Sequence, residues 1–89
     1  MATLLKTDGT SVEYTPQGKY FTLEELQKAV GGYIEIVPID KEYSLVVNEE
    51  GKLMGLPINE VATRLYRKVR YTNDFIVGEA LLCNSSQIN

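Results

Sequence analysis

The sequence predicts an α+β fold, in which a mostly antiparallel sheet of about five to six strands has two helices packed on one face. Two observations support this fold class. Several short segments alternate between apolar and polar residues, as half-buried strands do. Two further segments carry apolar residues at helical spacing behind a capping residue. The chain has 89 residues with no linker or repeat, so we expect residues 1–89 to form a single domain.

The first two elements expected are a β-hairpin and a short amphipathic helix. The hairpin covers residues 1–14, where apolar and β-branched residues flank Asp8–Gly9, a dipeptide that suits a tight turn. The helix covers residues 22–30. Thr22 has the hydroxyl of an N-cap, and Glu25 stands three residues later, where it completes a capping box.

Two glycines separate this helix from a series of strands. Gly31 lies just past the last apolar position of the helix, where a left-handed residue ends a helix without a Cβ penalty. Strands are expected over residues 33–54. The first alternates and ends at Pro38, and a second hairpin with its turn at 49–51 follows.

A second helix and a last strand complete the expected fold. The helix covers residues 59–70, with Asn59 as N-cap and an acidic residue, Glu60, at its positive end. Its apolar stripe consists of Val61, Ala62, Leu65 and Val69. The last strand is expected over residues 75–83, after a turn at 73–74.

Composition restricts the classes of function. The net charge of −3 disfavours long nucleic acid and anionic membranes as partners. No segment approaches the roughly 20 apolar residues of a membrane span. The single cysteine, Cys83, has no partner for an internal disulfide, which is typical of a reducing compartment, so we expect a soluble cytoplasmic protein.

The sequence shows no catalytic constellation, so we expect a protein that is not an enzyme and has no cofactor or metal. There is no histidine, the commonest general base, and the one cysteine lies in an apolar segment. The acidic pairs at 24–25 and 49–50 are sequence neighbours whose side chains diverge, whereas paired-carboxylate chemistry needs two groups that face each other across a cleft.

Three motifs resemble a family of small, largely uncharacterised domains of bacteriophages and conjugative elements. They lie at 31–35 (GGYIE), 48–52 (NEEGK) and 55–59 (GLPIN), and a further similarity lies at 74–82 (DFIVGEALL). The resemblance implies a mobile-element origin and a location in the cytoplasm of a bacterial host. It brings no catalytic residues.

The segment TRLYRKVRY, residues 63–71, is the candidate ligand-binding site. It contains four of the nine basic residues of an otherwise acidic chain. Arginine grips phosphate through two parallel N–H groups, and tyrosine stacks on bases, so the segment has the chemistry of nucleotide binding. The alternative is a solvated helix face whose charges offset the negative helix end. The candidate residues are Arg64, Arg67, Lys68, Arg70, Tyr66 and Tyr71.

These observations leave three hypotheses of function. The first is a non-enzymatic phage or mobile-element protein that sequesters a small anionic, nucleotide-type ligand, such as a host immune signal, and so serves anti-defence and immune evasion. A homo-oligomer is expected, because 89 residues bury only about 60–65% of their unfolded surface. The second is a protein-interaction module that inhibits or modulates a host factor. The third is a phosphodiesterase-like enzyme. Neither the ligand nor the oligomer size follows from the sequence.

Overall fold

The computed structural model describes residues 2–70 and 72–88, which form an antiparallel sheet and two α-helices. In chain order the elements are β1 (Ala2–Leu5), β2 (Ser11–Tyr14), α1 (Leu23–Val30), β3 (Ile34–Pro38), β4 (Tyr43–Asn48), α2 (Glu60–Arg70), β5 (Ala80–Asn84) and a 3₁₀ turn (Ser85–Gln87). The strand order is β2-β1-β5-β4-β3, and every neighbouring pair is antiparallel. The predicted α+β class is therefore confirmed.

One face of the sheet packs against α1. Val46 of β4 lies directly opposite Leu81 of β5, and both are fully buried. They belong to one apolar cluster with Leu26 and Val30 of α1. We call this side of the sheet the α1 face.

The opposite face packs against α2. Leu45 precedes Val46 in β4, and successive side chains of a strand point to opposite faces. Leu45 belongs to a second apolar cluster, which contains Ala62 of α2 and has Leu65 packed against it. We call this side the α2 face. The two helices therefore lie on opposite sides of the sheet.

The predicted packing of both helices on one face is not confirmed. The amphipathic pattern of each helix shows that it covers apolar surface, but it does not show which surface. The central strands β4 and β5 carry apolar side chains on both faces, and five consecutive residues of β4 are buried. Such strands need cover on both sides, and one helix supplies each cover.

Helix α1 has the local signals that its sequence predicts. The Thr22 hydroxyl accepts a hydrogen bond from the Glu25 N–H at 3.1 Å, and the Glu25 carboxylate accepts one from the Thr22 N–H at 2.8 Å. Gly31 ends the helix in the left-handed region, with φ of 78°. The buried Asn48 at the end of β4 donates to the Val30 carbonyl at 3.1 Å, which ties the carboxyl end of α1 to the sheet.

The predicted second hairpin is replaced by a series of turns over residues 49–55. Local hydrogen bonds hold them: the Glu50 N–H donates to the Asn48 side chain at 2.8 Å, and the Met54 N–H donates to the Glu50 carbonyl at 2.9 Å. Leu53 is 88% exposed, so its apolar side chain does not mark a strand. The described residues thus form five strands, and no sixth strand is present among them.

The last strand begins later than the sequence predicts. Residues 75–78 form a loop, in which β-type pairing with the preceding segment is limited to an isolated bridge between Ile58 and Val77. Gly78 has φ of 76°, a value that interrupts an extended strand, and β5 begins two residues later. Within the described residues, neither helix has the length and apolar character needed to cross a membrane.

Candidate functional site

A buried asparagine fixes the start of α2, the helix that carries the predicted basic site. Asn59 is fully buried, and its Oδ1 accepts from the Ala62 N–H at 3.1 Å, as an N-cap does. Its Nδ2 donates to the carbonyls of Leu5, at 2.8 Å, and Gly78, at 2.9 Å. One side chain therefore joins α2 to the end of β1 and to the loop before β5.

The buried side of α2 differs from the predicted stripe. Ala62 and Thr63 are buried, whereas Val61 and Val69 are 38% and 37% exposed. The Thr63 hydroxyl donates to the Ile76 carbonyl at 3.3 Å and accepts from the Ile76 N–H at 2.9 Å. This pair of bonds holds the loop of residues 72–78 along α2.

Arg67 is anchored to that same loop. Its Nε donates to the Asp74 carbonyl at 2.8 Å, and its Nη2 donates to the Asn73 carbonyl at 2.9 Å. A guanidinium has five N–H donors, so three remain for other partners. The arginine side chain is exposed, yet its position is fixed by two backbone groups.

Arg64 lies one helical turn before Arg67, and both residues line a depression of the surface. The depression has a volume of about 270 Å³. Its lining residues come from the start of α2 and from the loops on either side: Ile58, Glu60, Thr63, Arg64, Arg67 and Phe75. We call it the Arg64 depression. Two arginines and a phenylalanine therefore border one space.

The other predicted site residues lie elsewhere. Lys68 and Arg70 are exposed and do not line the Arg64 depression. Tyr66 is half-buried and packs against the apolar cluster of the α2 face, so its ring is on the core side of the helix. Tyr71 lies outside the described residues. The structure thus brings Arg64 and Arg67 together and separates Tyr66, Lys68 and Arg70 from them.

Phe75 is the site residue that sequence reasoning missed. The sequence predicts it to be the first residue of the last strand, but it lies in the loop before β5 and is 36% exposed. The Lys52 ammonium lies 4.6 Å from the centre of its ring and pairs with the Asp74 carboxylate. An aromatic residue directly after the predicted turn at 73–74 was the available signal.

Comparison with known proteins identifies the family. A family described as a domain of unknown function, DUF3846, matches residues 2–88. The chain belongs to the DUF3846 family. The match includes the amino-terminal hairpin and the basic helix as well as the three motifs noted in the sequence. No curated protein and no solved structure showed a match.

A second cleft in the DUF3846 fold is unsuited to anions. It lies on the α2 face beside β3 and has a volume of about 150 Å³. Its charged lining groups are the carboxylates of Glu35, Glu49 and Asp74 and the ammonium of Lys52, so negative charge exceeds positive.

The described residues offer little for catalysis. They contain no cluster of three or more histidine, cysteine or acidic side chains that would hold a metal ion. Cys83 is fully buried, and burial raises the pKa of its thiol to about 11, so the thiol stays protonated at neutral pH. Glu25, one member of the acidic pair at 24–25, is part of the capping box of α1.

Proposed function

We propose that this DUF3846 chain is a non-enzymatic binding protein that captures a small anionic ligand of nucleotide type in the Arg64 depression. The observation that carries the proposal is the placement of Arg64, Arg67 and Phe75 around one space. Guanidinium groups bind phosphate oxygens through charge-assisted hydrogen bonds, and an aromatic face stacks on a base.

The two arginines have different parts in this proposal. Arg67 is held by two backbone carbonyls, so little side-chain entropy is lost when its remaining N–H groups bind a phosphate. Arg64 makes no hydrogen bond or ion pair with the described residues, so it can turn toward the ligand. Phe75 takes the stacking position that the sequence assigned to Tyr66 or Tyr71.

The charge of the depression favours a compact anion. Two arginines and one glutamate are among its lining residues, which gives a formal excess of one positive charge. A ligand with a single negative charge per phosphate, such as a cyclic nucleotide, therefore suits it better than a polyphosphate chain. The volume of about 270 Å³ also limits the part of the ligand that is enclosed.

The biological part of the proposal rests on the sequence resemblance to domains of bacteriophages and conjugative elements. A protein of such an element that binds a nucleotide without cleaving it would lower the free concentration of a host immune signal in the bacterial cytoplasm. We also propose that the chain self-associates, since a domain of this size leaves much of its surface uncovered.

Isothermal titration calorimetry of the purified chain with a panel of cyclic mononucleotides and dinucleotides tests the binding site. Losing a charge-assisted hydrogen bond to phosphate costs about 1.5–3 kcal/mol. Arg64→Ala should therefore weaken binding by roughly ten- to a hundredfold. Arg67→Lys, which keeps the charge and loses the fork, should also weaken it. Arg70→Ala is the matched control on the same helix and should bind as the parent does. Binding by Arg64→Ala equal to the parent's, or no binding by any member of the panel, contradicts the proposal.

The turns at 49–55 favour a second candidate function, that of a module that binds and modulates another protein. Leu53 and Met54 are 88% and 57% exposed there, next to the exposed carboxylates of Glu49 and Glu50. Exposed apolar side chains bordered by charge are typical of protein contacts. Affinity purification from host extract tests this function: a stoichiometric protein partner that is lost with Leu53→Ser supports it, and recovery of the chain alone argues against it.

A further inference from the structure

Strand β3 is at the end of the sheet, and the direction of its backbone groups follows from two hydrogen bonds. The Glu49 N–H donates to the Tyr33 carbonyl at 2.8 Å, and the Ile39 N–H donates to the Tyr43 carbonyl at 2.9 Å. Both bonds join positions that continue the β3–β4 register, in which Ile36 lies opposite Val46. They identify the odd-numbered positions of β3 as the ones that are hydrogen-bonded to β4.

The even-numbered positions of β3 therefore direct their backbone groups away from the sheet. Ile34 and Ile36 each present one N–H and one C=O at this edge. Pro38 presents a C=O only, because proline has no N–H. No hydrogen bond from a loop or side chain among the described residues uses these groups. We call this row the β3 edge.

We propose that the β3 edge pairs with the β3 edge of a second copy of the chain, antiparallel and with the two-fold axis at Ile36. In this register Ile36 lies opposite Ile36 of the second copy, and Ile34 lies opposite Pro38 of the second copy. Each Ile36 N–H then finds the Ile36 carbonyl of the other copy, and each Ile34 N–H finds a Pro38 carbonyl. All the outward N–H groups of both edges are satisfied, and the missing N–H of proline leaves no donor without a partner.

The side chains of β3 select this register over its nearest alternative. Ile36 is 44% exposed on the α1 face and would be covered by its counterpart across the axis. On the α2 face, each Glu35 would lie beside Val37 of the other copy. A pairing shifted to centre on Glu35 would set two carboxylates directly opposite each other, and like charges in that position destabilise a sheet. The charge of Glu35 thus disfavours the pairing centred on Glu35.

The other end strand, β2, is less suited to self-pairing. Ser11 and Glu13 alternate there with Val12 and Tyr14, so pairing at this edge buries less apolar surface. Val12 is nonetheless 44% exposed, the same fraction as Ile36. It therefore provides a matched control position for an experiment on β3.

Sedimentation velocity over the micromolar concentration range tests the proposed dimer. The parent chain should sediment as a species of twice the 10.0 kDa chain mass. Ile36→Lys places two ammonium groups opposite each other at the axis, so it should sediment as a monomer. Val12→Lys should remain dimeric. A parent chain that is monomeric throughout, a dimeric Ile36→Lys, or a Val12→Lys variant that alone becomes monomeric would overturn the proposal.

Amide hydrogen exchange of the unmodified chain provides a test that does not depend on the folding of a variant. As the concentration rises through the monomer–dimer transition, the amides of Ile34 and Ile36 should exchange more slowly. Unchanged fast exchange of both amides in a sample that is already dimeric would show that another surface forms the dimer. This interface gives a structure to the proposed self-association and does not depend on the Arg64 depression, so failure of either test leaves the other conclusion standing.

Discussion

Replacing the buried Asn59 by alanine should destabilise the protein strongly, because one side chain holds three separate parts of the fold. Its amide joins β1 through the Leu5 carbonyl, the loop before β5 through the Gly78 carbonyl, and α2 through the Ala62 N–H. Alanine removes all three hydrogen bonds and leaves the space of the amide unfilled.

The size of the effect follows from the number of bonds and from their burial. A hydrogen bond contributes about 0.5–1.5 kcal/mol net, so three bonds contribute roughly 1.5–4.5 kcal/mol. Asn59 is fully buried, so its former partners regain water poorly, and the upper half of this range applies. We expect a loss of about 3–4 kcal/mol in the free energy of unfolding. For a domain of this size, a loss of about 3 kcal/mol lowers the Tm by roughly 12–24 °C.

Thermal melting followed by circular dichroism measures this loss, together with urea unfolding to obtain the free energy. Asn73→Ala is the matched control, because the Asn73 side chain is exposed and makes no hydrogen bond with the described residues. Its free energy of unfolding should stay within about 0.5 kcal/mol of the parent's. If Asn59→Ala melts within about 3 °C of the parent, the three bonds do not hold these elements together and the reasoning is refuted.

Two further predictions concern the ends of helix α1. Gly31→Ala should lower the free energy of unfolding by about 1 kcal/mol without changing ligand affinity, because alanine is strained at the φ of 78° that Gly31 adopts far from the Arg64 depression. Melting and calorimetry on the same sample check both parts, and a loss of affinity at unchanged Tm would contradict the structural role of Gly31. Hydrogen bonds from the Thr22 and Gln17 N–H groups hold the pKa of the Glu25 carboxyl below its ordinary value of 4.5. The stabilisation from these bonds is therefore fully present above pH 4.5 and is lost as the pH falls through the lowered pKa of the folded state. Between pH 5 and about pH 3, the Tm of Glu25→Gln should therefore fall less than the Tm of the parent or of the control Glu24→Gln. An equal fall in Tm for all three proteins would show that Glu25 has no part in the acid sensitivity.

Local sequence signals predicted the ends of α1 because the interactions there are themselves local. The capping box joins Thr22 to Glu25, three residues apart, and Gly31 satisfies a backbone requirement at a single position. The same applies to the first hairpin, where the Gly9 φ of 90° matches the turn expected at Asp8–Gly9.

Longer-range features did not follow from the sequence. The sequence predicts a strand that includes the apolar Leu53 and Met54, but the buried Asn48 side chain accepts a hydrogen bond from the Glu50 N–H, and the chain turns away from the sheet there. The side of the sheet that each helix covers depends on both faces of β4 and β5 at once, and the periodicity of a single helix contains no information about it.

The candidate site was predicted only in part, because only part of its geometry is set by local spacing. Arg64 and Arg67 are three residues apart, so helical geometry alone places them on one surface. The anchoring of Arg67 to the Asn73 and Asp74 carbonyls is a tertiary contact that no spacing rule contains. Phe75 reaches the depression through the same loop, which explains why an aromatic residue outside the basic helix was missed.

The most direct test of the central claim, capture of an intact anionic ligand, is mass spectrometry of what the protein releases. The purified chain is incubated with extract that contains signalling nucleotides, washed, and denatured, and the released small molecules are identified. We predict that the parent releases an intact nucleotide in a fixed ratio to protein, and that Arg64→Ala releases at least tenfold less while Arg70→Ala releases as much as the parent. Cleaved products, or an equal yield from Arg64→Ala, would contradict capture without cleavage in the Arg64 depression.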